Sequence, residues 1–499
     1  MPAHQHHNAS HIEATLTDHS LEGLVEMVIR PLEPNRYRAA TVHGAVEFER
    51  LVSSNDIESG YLTHDISGVN PLQHQQPDLF DSLAAELADP HPLRTTNSYP
   101  YAFESIAQFF DAAHAPDLLA LHTGAHTRDG YLGNHGSLAI TQARAPFIAA
   151  GAGIATHGTL DASTRVVDLA PTLAALMGLR PHPHASTAHR ESTTRPLLAR
   201  QDGHVNQQLL TGDIADHVVV FLLDGCNPNL LDDAIERGEA PHIDSLRNRG
   251  TSYRHGCFAS LPTATLANHT TALTGVHPGH SGILHNTWFN RATKHVHDLL
   301  DLGQMFWSAN HLHPEVETLF EALHRCRPDA ISLAEFEFCD RGATISTFQP
   351  IRDGAMPQLE QLEALHHLTT DAALENPQYL LGSQIDHHTT RHVIDAWGQS
   401  HNAPLPTLTW CGFVLTDEAG HASGPHGELA RAAVRDTDAR IGDIIDAVED
   451  AGRLDSTAFF VFADHGMQQC DPTVNGSWQP ALAETGLVLH DLDGLIYLR

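Results

Sequence analysis

The chain has 499 residues, roughly enough for two to four domains of ordinary size, and 41% of them are hydrophobic. Its 28 basic and 61 acidic residues give a formal net charge of −33. Such an acidic surface repels phosphate backbones and anionic lipids, which argues against a nucleic-acid polymer or a membrane as a partner. A small anionic substrate is not excluded, because bound cations can attract it locally.

The N-terminal region has no signal-peptide pattern, and no apolar run approaches the length of a membrane span. Six scattered cysteines without a Cys-x-x-Cys pair argue against a disulfide framework and against a thiolate zinc site. These features predict a soluble, cytoplasmic protein. The histidine-rich start, MPAHQHHNASH, is predicted to be a mobile terminus rather than a metal site, and residues 1–35 are predicted to form an N-terminal tail.

Short apolar runs alternate with helical patterns, which is typical of βαβ units and a mostly parallel sheet. Residues 181–203 are rich in Pro, His, Ser and Thr and are predicted to form a linker. Residues from about 290 to 405 have weak strand patterns and are predicted to be an insertion that covers the site. In chain order, strands are predicted at 116–124, 145–151, 217–224, 409–417 and 456–464, and helices at 167–179 and 427–452.

Three of the predicted strands end in acidic or acid–histidine loops. Asp224 ends FLLDG, Asp417 and His421 lie in TDEAGHASGP, and Asp464 and His465 lie in FADHGM. Asp224 alone is explained more simply as a helix cap. However, ligands of open α/β sheets lie at the carboxyl ends of the strands, and carboxylate with imidazole suits zinc or a similar ion. Together the three loops predict a metal site.

A candidate nucleophile lies in LPTATLANHTTALTG, residues 261–275. A helix is predicted to begin near Thr265, where a hydroxyl group would face free backbone N–H groups that favour phosphate. The simpler interpretation of Thr265 is an N-cap. Thr263, Thr270 and Thr271 are equally plausible nucleophiles on composition alone, so the residues predict the kind of site without selecting the threonine.

Another unusual segment is YLGNHGSL, residues 131–138. Glycines lie on both sides of His135 and have no side chains with which to fill a packed interior. The pattern indicates a loop whose backbone closely approaches another part of the molecule.

As a set, these motifs resemble the alkaline phosphatase superfamily, and within it the type I phosphodiesterase/nucleotide pyrophosphatase branch. Their order and strand placement agree with the branch as well as their letters. The matching positions are Asp224 in FLLDG, Thr265 three residues before Asn-His in TLANH, Asp417 and His421 before Gly-Pro, and Asp464 and His465 in D-H-G-M.

The resemblance implies an α/β fold with an alkaline-phosphatase-like, mostly parallel central sheet flanked by helices, with a cap insertion. It also implies two divalent metal ions, zinc being the usual one. The implied ligands are Asp224, Thr265, Asp464 and His465 for the first ion, and Asp417, His421 and a further histidine for the second.

In ordinary members the further histidine follows D-H-G-M, but here only His490 does, and it has no glycine loop. YLGNHGSL, ARAPFIAAGAGI, VVDLAPTLAALMGL and RPLL instead resemble the family's C-terminal block, so His135 would complete the second site. The order is therefore predicted to be circularly permuted, which is tolerated when the old termini are close. Residues 36–200 would be the C-terminal block with its loop 131–138, residues 201–215 the join, and residues 216–499 the N-terminal catalytic block.

The resemblance implies hydrolysis of phosphodiester or pyrophosphate bonds in a small phosphorylated substrate through a phospho-threonine on Thr265, with Asn268 contacting a phosphoryl oxygen. Leu266 replaces the arginine of alkaline phosphatases, which favours a diester. Ala264 replaces the lysine of many nucleotide pyrophosphatases, which weakens the case for a nucleotide. The alternatives are a phosphonoacetate-type C–P hydrolase, a phosphomonoesterase and, ranked lower, an inactive binding protein.

Overall fold

The structure is a computed structural model that describes residues 3–51, 60–92, 97–128, 130–187, 196–355, 373, 375–398 and 404–499. Its helices are, in chain order, α1 (Ala3–Leu16), α2 (Leu83–Ala88), α3 (Ala102–Phe109), α4 (Ile140–Ala143), α5 (Leu169–Leu176), α6 (Pro228–Glu236), α7 (Pro241–Arg249), α8 (Thr265–Thr274), α9 (Pro278–Ser281), α10 (Leu302–Met305), α11 (Leu319–Cys326), α12 (Phe348–Arg352), α13 (Pro377–Trp397), α14 (Leu415–Ser423), α15 (Glu428–Asp450) and α16 (Gln479–Glu484).

The strands are, in chain order, β1 (Val25–Glu33), β2 (Arg36–Thr41), β3 (Gly44–Leu51), β4 (Gly60–Gly68), β5 (Leu118–His122), β6 (Gly133–Asn134), β7 (Arg144–Ala145), β8 (Phe147–Gly151), β9 (Gly158–Leu160), β10 (Thr164–Arg165), β11 (Ser186–Thr187), β12 (Arg200–Gln201), β13 (His217–Leu223), β14 (Thr251–Tyr253), β15 (Cys257–Phe258), β16 (Thr287–Asn290), β17 (His295–Asp298), β18 (Ile331–Glu335), β19 (Ile345–Ser346), β20 (Pro406–Phe413), β21 (Thr457–Phe462), β22 (Gln468–Gln469), β23 (Leu489–Leu492) and β24 (Leu495–Leu498).

The central sheet has the strand order β19-β18-β20-β13-β21-β8-β14-β9. Strand β13 pairs in parallel with β20 on one side and with β21 on the other, whereas β8 is antiparallel to β21. Residues Val218–Leu223 of β13 are all buried, as is typical of a parallel strand covered on both faces. The predicted α/β fold with a mostly parallel central sheet is confirmed.

Four of the five predicted strands lie in this sheet. Residues 217–224, 409–417, 456–464 and 145–151 contain or overlap β13, β20, β21 and β8. The fifth predicted strand, at 116–124, contains β5 but belongs to a different sheet. The predicted helices at 167–179 and 427–452 contain α5 and α15.

The second sheet has the strand order β23-β24-β5-β1-β2-β3-β4, and its neighbouring strands are antiparallel. The sequence patterns did not predict this sheet. The available signal was the alternation of polar and apolar residues at the start of β2, RYRA. Turn residues lie on either side of this strand at Asn35, which has φ +64°, and at Gly44. Such alternation around short turns is typical of antiparallel hairpins.

The first 35 residues differ from the predicted mobile tail, since their described part forms α1 and β1. Ala9, Ile12 and Leu16 are buried in an apolar cluster that also contains Ile496 and Leu498. Their spacing of three and four residues is that of one helix face, but the surrounding histidines conceal it in the sequence. The described helices include none that is long and apolar enough to cross a membrane.

Residues 290–405 are not simply an inserted cap, because β18 and β19 form one edge of the central sheet. Ser332 interrupts the apolar residues of β18, which explains its weak signal in the sequence. Helix α13 also supports the scaffold, since Asp386 accepts hydrogen bonds from the N–H groups of Val414 (2.8 Å) and Leu415 (3.3 Å) at the start of α14. The parts of the predicted cap at 356–372, 374 and 399–403 lie outside the described residues.

Candidate metal centre

Three neighbouring strands of the central sheet deliver acidic residues to one edge. Strands β13, β20 and β21 are parallel, so their carboxyl ends meet. Asp224 directly follows β13, Asp464 follows β21, and Asp417 lies in the first turn of α14 after β20. The three carboxylates therefore converge because of the sheet topology.

The predicted first group of ligands is assembled around one ring nitrogen. His465 Nε2 lies 3.2 Å from Asp464 Oδ2, 3.5 Å from Asp224 Oδ1 and 3.3 Å from Thr265 Oγ1. Four zinc ligands at the corners of a tetrahedron are about 3.3 Å apart, because each bond is about 2.0–2.1 Å long. The three distances from His465 Nε2 are close to this spacing, although a ligand atom of His465 also lies within 4.8 Å of ligand atoms of His135 and Asp417.

The predicted second group lies beside the first. His421 Nε2 is 3.2 Å from Asp417 Oδ2, and His135 Nε2 is 3.7 Å from Asp417 Oδ1. The rings of His135 and His465 stack with centroids 3.7 Å apart. The structure thus brings His135 to the residues with which the sequence analysis grouped it.

Glycine allows the His135 loop to approach so closely. A Cβ atom on Gly133 would lie 2.6 Å from the backbone oxygen of Gly420 and 2.6 Å from Met467 Sδ. The N–H group of Leu132 also donates to His421 O at 2.8 Å, which joins the loop to α14. The loop is therefore fixed against the helix that carries Asp417 and His421.

Backbone carbonyl groups orient the three histidine rings. The Nδ1 atoms of His135, His421 and His465 lie 2.7, 2.7 and 3.0 Å from the oxygens of Thr263, Gly133 and Gly466, respectively. A ring that donates from Nδ1 leaves its Nε2 lone pair for a cation. All three rings are therefore held in the tautomer that a metal ligand requires.

The centre concentrates negative charge in a buried space. Burial, and then the Asp464 and Asp417 carboxylates, raise the pKa of Asp224 well above its ordinary value. Burial lowers the pKa of His421, but Asp417 reverses this effect and raises it to about 9. Burial and then repulsion from His465 lower the pKa of His135.

Several buried polar atoms of the centre have no hydrogen-bond partner. They are Asp224 Oδ1, Asp417 Oδ1, Asp464 Oδ2 and His269 Nε2. Buried charged groups without partners are costly, and bound cations remove that cost. The donor set therefore fits divalent cations.

Geometry distinguishes among the four candidate threonines. Thr263 Oγ1 bonds to Ser137 O (3.0 Å) and Gly136 N (2.8 Å), whereas the hydroxyl groups of Thr270 and Thr271 bond to carbonyls one turn back in α8. Thr265 Oγ1 is the one that contacts the cluster. It is also not the N-cap, because α8 has Ala264 at that position.

Asn268 lies one turn beyond Thr265, but its side-chain amide is hydrogen-bonded within the protein. Its Nδ2 atom donates to the oxygens of Pro262 (2.8 Å), Ala264 (3.2 Å) and Ser260 (3.3 Å), and its Oδ1 accepts from Ser260 N at 2.7 Å. The amide is buried and fully used in shaping the loop before Thr265. No donor remains for a phosphoryl oxygen in this arrangement, so its contribution here is to position the loop.

Asn286 is a site residue that the sequence analysis missed. Its Oδ1 accepts from Leu266 N at 3.2 Å, which places the side-chain amide beside Thr265 at the start of α8. It is half-buried and lies 21 positions after Thr265, just before β16. No local pattern marks such a residue, because the contact depends on the return of the chain to α8.

His269 and Glu337 were also missed. His269 Nδ1 lies 2.9 Å from Glu337 Oε2, and both side chains are buried. His269 follows Thr265 by four residues and therefore lies on the same face of α8. This spacing was the available signal for the histidine, whereas Glu337 had none.

A sequence model of the type I phosphodiesterase / nucleotide pyrophosphatase family matches residues 218–498. This chain belongs to that family. The resemblance to this branch of the alkaline phosphatase superfamily is therefore confirmed. The matched range includes the loops of Asp224, Thr265, Asp417 and Asp464 and leaves out His135.

Individual relatives in the family are distant. Mouse bis(5'-adenosyl)-triphosphatase is 23% identical over 240 residues, which cover 48% of this chain and 45% of that protein. A fission-yeast (Schizosaccharomyces pombe) uncharacterized pyrophosphatase/phosphodiesterase is 25% identical over 258 residues, covering 50% and 44%. The chain thus spans less than half the length of these two curated relatives.

Among solved structures, murine ectonucleotide pyrophosphatase / phosphodiesterase 5 in complex with AMP is 17% identical to this chain. The alignment covers 56% of this chain and 64% of that one, with a TM-score of 0.39.

Proposed function

We propose that this member of the type I phosphodiesterase / nucleotide pyrophosphatase family hydrolyses phosphodiester or pyrophosphate bonds in small phosphorylated molecules. The observation that carries the proposal is the contact of Thr265 Oγ1 with His465 Nε2 at 3.3 Å, inside a cluster of carboxylates and imidazoles. Thr265 is the proposed nucleophile. Family membership supports the class of reaction.

Two divalent cations, zinc by preference, are the proposed cofactors. Asp224, Thr265, Asp464 and His465 would hold one, and Asp417, His421 and His135 the other. The ligand separations and the unpartnered buried oxygens support this assignment. When bound, such cations supply the positive charge that stabilises the phosphoryl transition state and favours ionisation of the hydroxyl group and of water.

The proposed reaction has two displacements. Thr265 Oγ forms a bond to phosphorus while the bond from phosphorus to the leaving oxygen breaks, giving a phospho-threonine and a free alcohol or phosphate. Water then attacks phosphorus, the Thr265 Oγ–phosphorus bond breaks, and the hydroxyl group regains its proton. Asn286 is placed beside Thr265 to donate its amide hydrogens to a phosphoryl oxygen, the role first predicted for Asn268.

A diester or pyrophosphate is the proposed substrate class. Leu266 follows the nucleophile, so no guanidinium group stands there to pair with the second negative charge of a monoester. The same residues are compatible with two alternative activities, those of a phosphonoacetate-type C–P hydrolase and of a phosphomonoesterase.

The test compares turnover of a bis-aryl phosphate, an aryl monophosphate and phosphonoacetate by the zinc-loaded chain. We expect the diester to react fastest and Thr265→Ala to lower its kcat/KM by at least about 1,000-fold, because the covalent intermediate is lost. Thr270→Ser, which keeps a hydroxyl group on the same helix, is the matched control and retains activity. Monoester turnover well above diester turnover, or an active Thr265→Ala variant, would refute the proposal.

A permuted order of the family's blocks is also proposed, with residues 36–200 as the C-terminal block, 201–215 as the join and 216–499 as the catalytic block. The family match to residues 218–498, which leaves His135 outside, supports it. Helix α1 and strand β24 pack in one apolar cluster, so a linker can join them in a reordered chain. A chain reordered to begin near residue 204, with residue 499 linked to residue 1, is expected to fold and bind the same cations. Failure of a soluble, folded product would count against the join.

The cytoplasm is the proposed location. All six cysteines are free thiols in the structure, which suits a reducing compartment. Cell fractionation of the tagged chain tests this, and recovery from an oxidising compartment would contradict it.

A further inference from the structure

A line of buried polar side chains leads from α3 to the loop that precedes Thr265. The Asn268 amide holds this loop and bonds twice to the backbone of Ser260, as a donor to its oxygen and an acceptor from its N–H group. The side chain of Ser260 has a further partner, because its Oγ lies 2.9 Å from His277 Nδ1. Neither Ser260 nor His277 has a role in the function proposed above.

The other ring nitrogen of His277 faces a carboxylate. His277 Nε2 lies 3.5 Å from Glu104 Oε1 in α3, and Glu104 Oε2 accepts from Arg165 Nη1 at 2.7 Å. Burial raises the pKa of Glu104, but Arg165 and then His277 outweigh this effect and hold the pKa below its ordinary value. Glu104 is therefore ionised, and its charge favours a hydrogen atom on His277 Nε2.

This tautomer determines how Ser260 is bonded. With hydrogen on Nε2, the neutral His277 ring accepts the hydroxyl hydrogen of Ser260 at Nδ1. The His277 backbone is also fixed, since its N–H group donates to the buried Asp202 Oδ2 at 2.9 Å. Hydrolytic triads join serine, histidine and carboxylate as well, but Ser260 and His277 are only 4% and 5% exposed, which closes them to a substrate. Their contacts lead to the nucleophile loop instead.

We propose that His277 is a positioning residue for Thr265. It anchors Ser260, which is bonded to Asn268 of α8, and so sets the path of the loop that ends at Thr265. Thr265 Oγ1 lies 3.3 Å from His465 Nε2, and a small shift of the loop would misdirect the hydroxyl group. This inference rests on the proposed function, because Thr265 is the nucleophile only in that proposal.

The first test measures kcat, KM and metal content of His277→Ala with a bis-aryl phosphate. We expect kcat to fall by about 10- to 100-fold with a smaller change in KM, since a displacement of about 1 Å has effects of this order. Metal content should stay at the wild-type level, because no ligand side chain is removed. His217→Ala is the matched control and should keep wild-type kcat, since His217 Nδ1 lies 2.6 Å from Pro406 O at the opposite, amino end of β13.

Two amide variants separate the hydrogen bond from packing. His277→Asn can place an amide oxygen near the position of Nδ1 and accept from Ser260, so it should restore kcat. His277→Gln is closer to histidine in size but carries its amide near the position of Nε2, so it should lose as much as His277→Ala. Ser260→Ala should have the same loss, and its combination with His277→Ala should lose no more than either alone, because both break one link.

Three results would overturn the positioning role. They are wild-type kcat in a folded His277→Ala variant, equal kcat in the two amide variants, and losses that multiply in the double variant. If His277→Ala does not fold, the comparison of His277→Gln and Ser260→Ala with His277→Asn decides in its place.

Crystal structures of the zinc-loaded variants give a readout besides activity. The separation of Thr265 Oγ1 from His465 Nε2, 3.3 Å here, should lengthen in His277→Gln and Ser260→Ala and be kept in His277→Asn. A displaced Thr265 in a chain that hydrolyses no phosphate ester would support the positioning role and refute the proposed function. Hydrolysis that depends on Thr265 but not on His277 would do the reverse.

Discussion

The two halves of the candidate metal centre, the proposed ligands of the first and of the second cation, are built in different ways. Asp464 and His465 have fully buried side chains and follow a strand in the middle of the central sheet. In the second half, the side chains of His135, Asp417 and His421 are 12–14% exposed, and they come from a glycine loop and a helix. The sheet thus fixes the first half, whereas the second depends on contact between α14 and the loop 131–138.

The ligands of the first half are held by the register of the sheet, whereas those of the second half are held by packing of a loop against a helix. The first half derives its geometry from the parallel register of β13 and β21, which a single side chain cannot alter. The second half depends on a few close backbone approaches, such as that of Gly133 to Gly420. Substitutions should therefore affect the two halves differently.

The largest effect is expected for Asp464→Asn in the first half. Loss of this carboxylate removes a ligand that lies 3.2 Å from His465 Nε2 and should abolish binding of the first cation. Diesterase kcat/KM is expected to fall by at least about 10⁴-fold, measured together with metal content. Asp471→Asn, at a half-buried residue outside the cluster, is the control. An Asp464→Asn variant with normal metal content would contradict the assignment.

A smaller effect is expected for His135→Ala in the second half. The variant should lose one cation and keep the first, since the sheet-borne ligands are unchanged, and kcat/KM should fall by about 100- to 1,000-fold. Elemental analysis and kinetics measure both quantities. His255→Ala, whose ring pairs with Asp161 away from the centre, is the control. Full occupancy of both sites in His135→Ala would show that His135 is not a ligand of the second cation.

Gly133→Ala tests the packing of the second half without removing a ligand. The new Cβ would lie 2.6 Å from Gly420 O, so the loop must move away from α14. We expect a loss of about 1–3 kcal/mol in the free energy of unfolding and weaker binding of the second cation only. In Gly23→Ala the nearest atom is 3.9 Å away, so this control should be neutral. Equal losses from the two variants would contradict the argument.

The smallest effect is expected for Asp386→Asn, which tests support of α14 by α13. Burial raises the pKa of Asp386 to about 7, so its protonated form is favoured in the folded state. Its contribution to stability is therefore greatest below the unfolded pKa of about 3.9 and is lost as pH rises through about 7. Asp386→Asn should flatten the pH dependence of unfolding in this range, measured by denaturant titration. An unchanged pH profile would show that Asp386 does not titrate there.

The sequence predicted those parts of the centre that follow from strand ends. Asp224, Asp417 and Asp464 end apolar runs, and parallel strands carry such ends to one edge of a sheet. The resemblance then supplied His135, which no local pattern joins to Asp417. The family match covers residues 218–498, which contain all of these motifs except that of His135.

Contacts that depend on the return of the chain could not be predicted in this way. Thr265 can be selected over Thr263 only when the hydrogen-bond partners of each hydroxyl group are known. The role of Asn268 likewise becomes visible only with the conformation of the loop to which its amide donates. Asn286 and Glu337 reach the centre from segments with weak local patterns. The second sheet was missed because charged residues mask the alternation of apolar residues in its strands. Histidines likewise mask the apolar face of α1.

The position of β8 in the central sheet constrains how the protein is made. Strand β8 ends at Gly151 but pairs with β21, which ends at Phe462. A ribosome adds about 5–20 residues per second, so roughly 15–60 s separate the synthesis of these two partners. Throughout that interval β8 lacks its main neighbour and His135 lacks Asp417. Loading of the proposed second cation would therefore be a late event in biogenesis, and nascent chains that stop before β21 should expose apolar strands to chaperones.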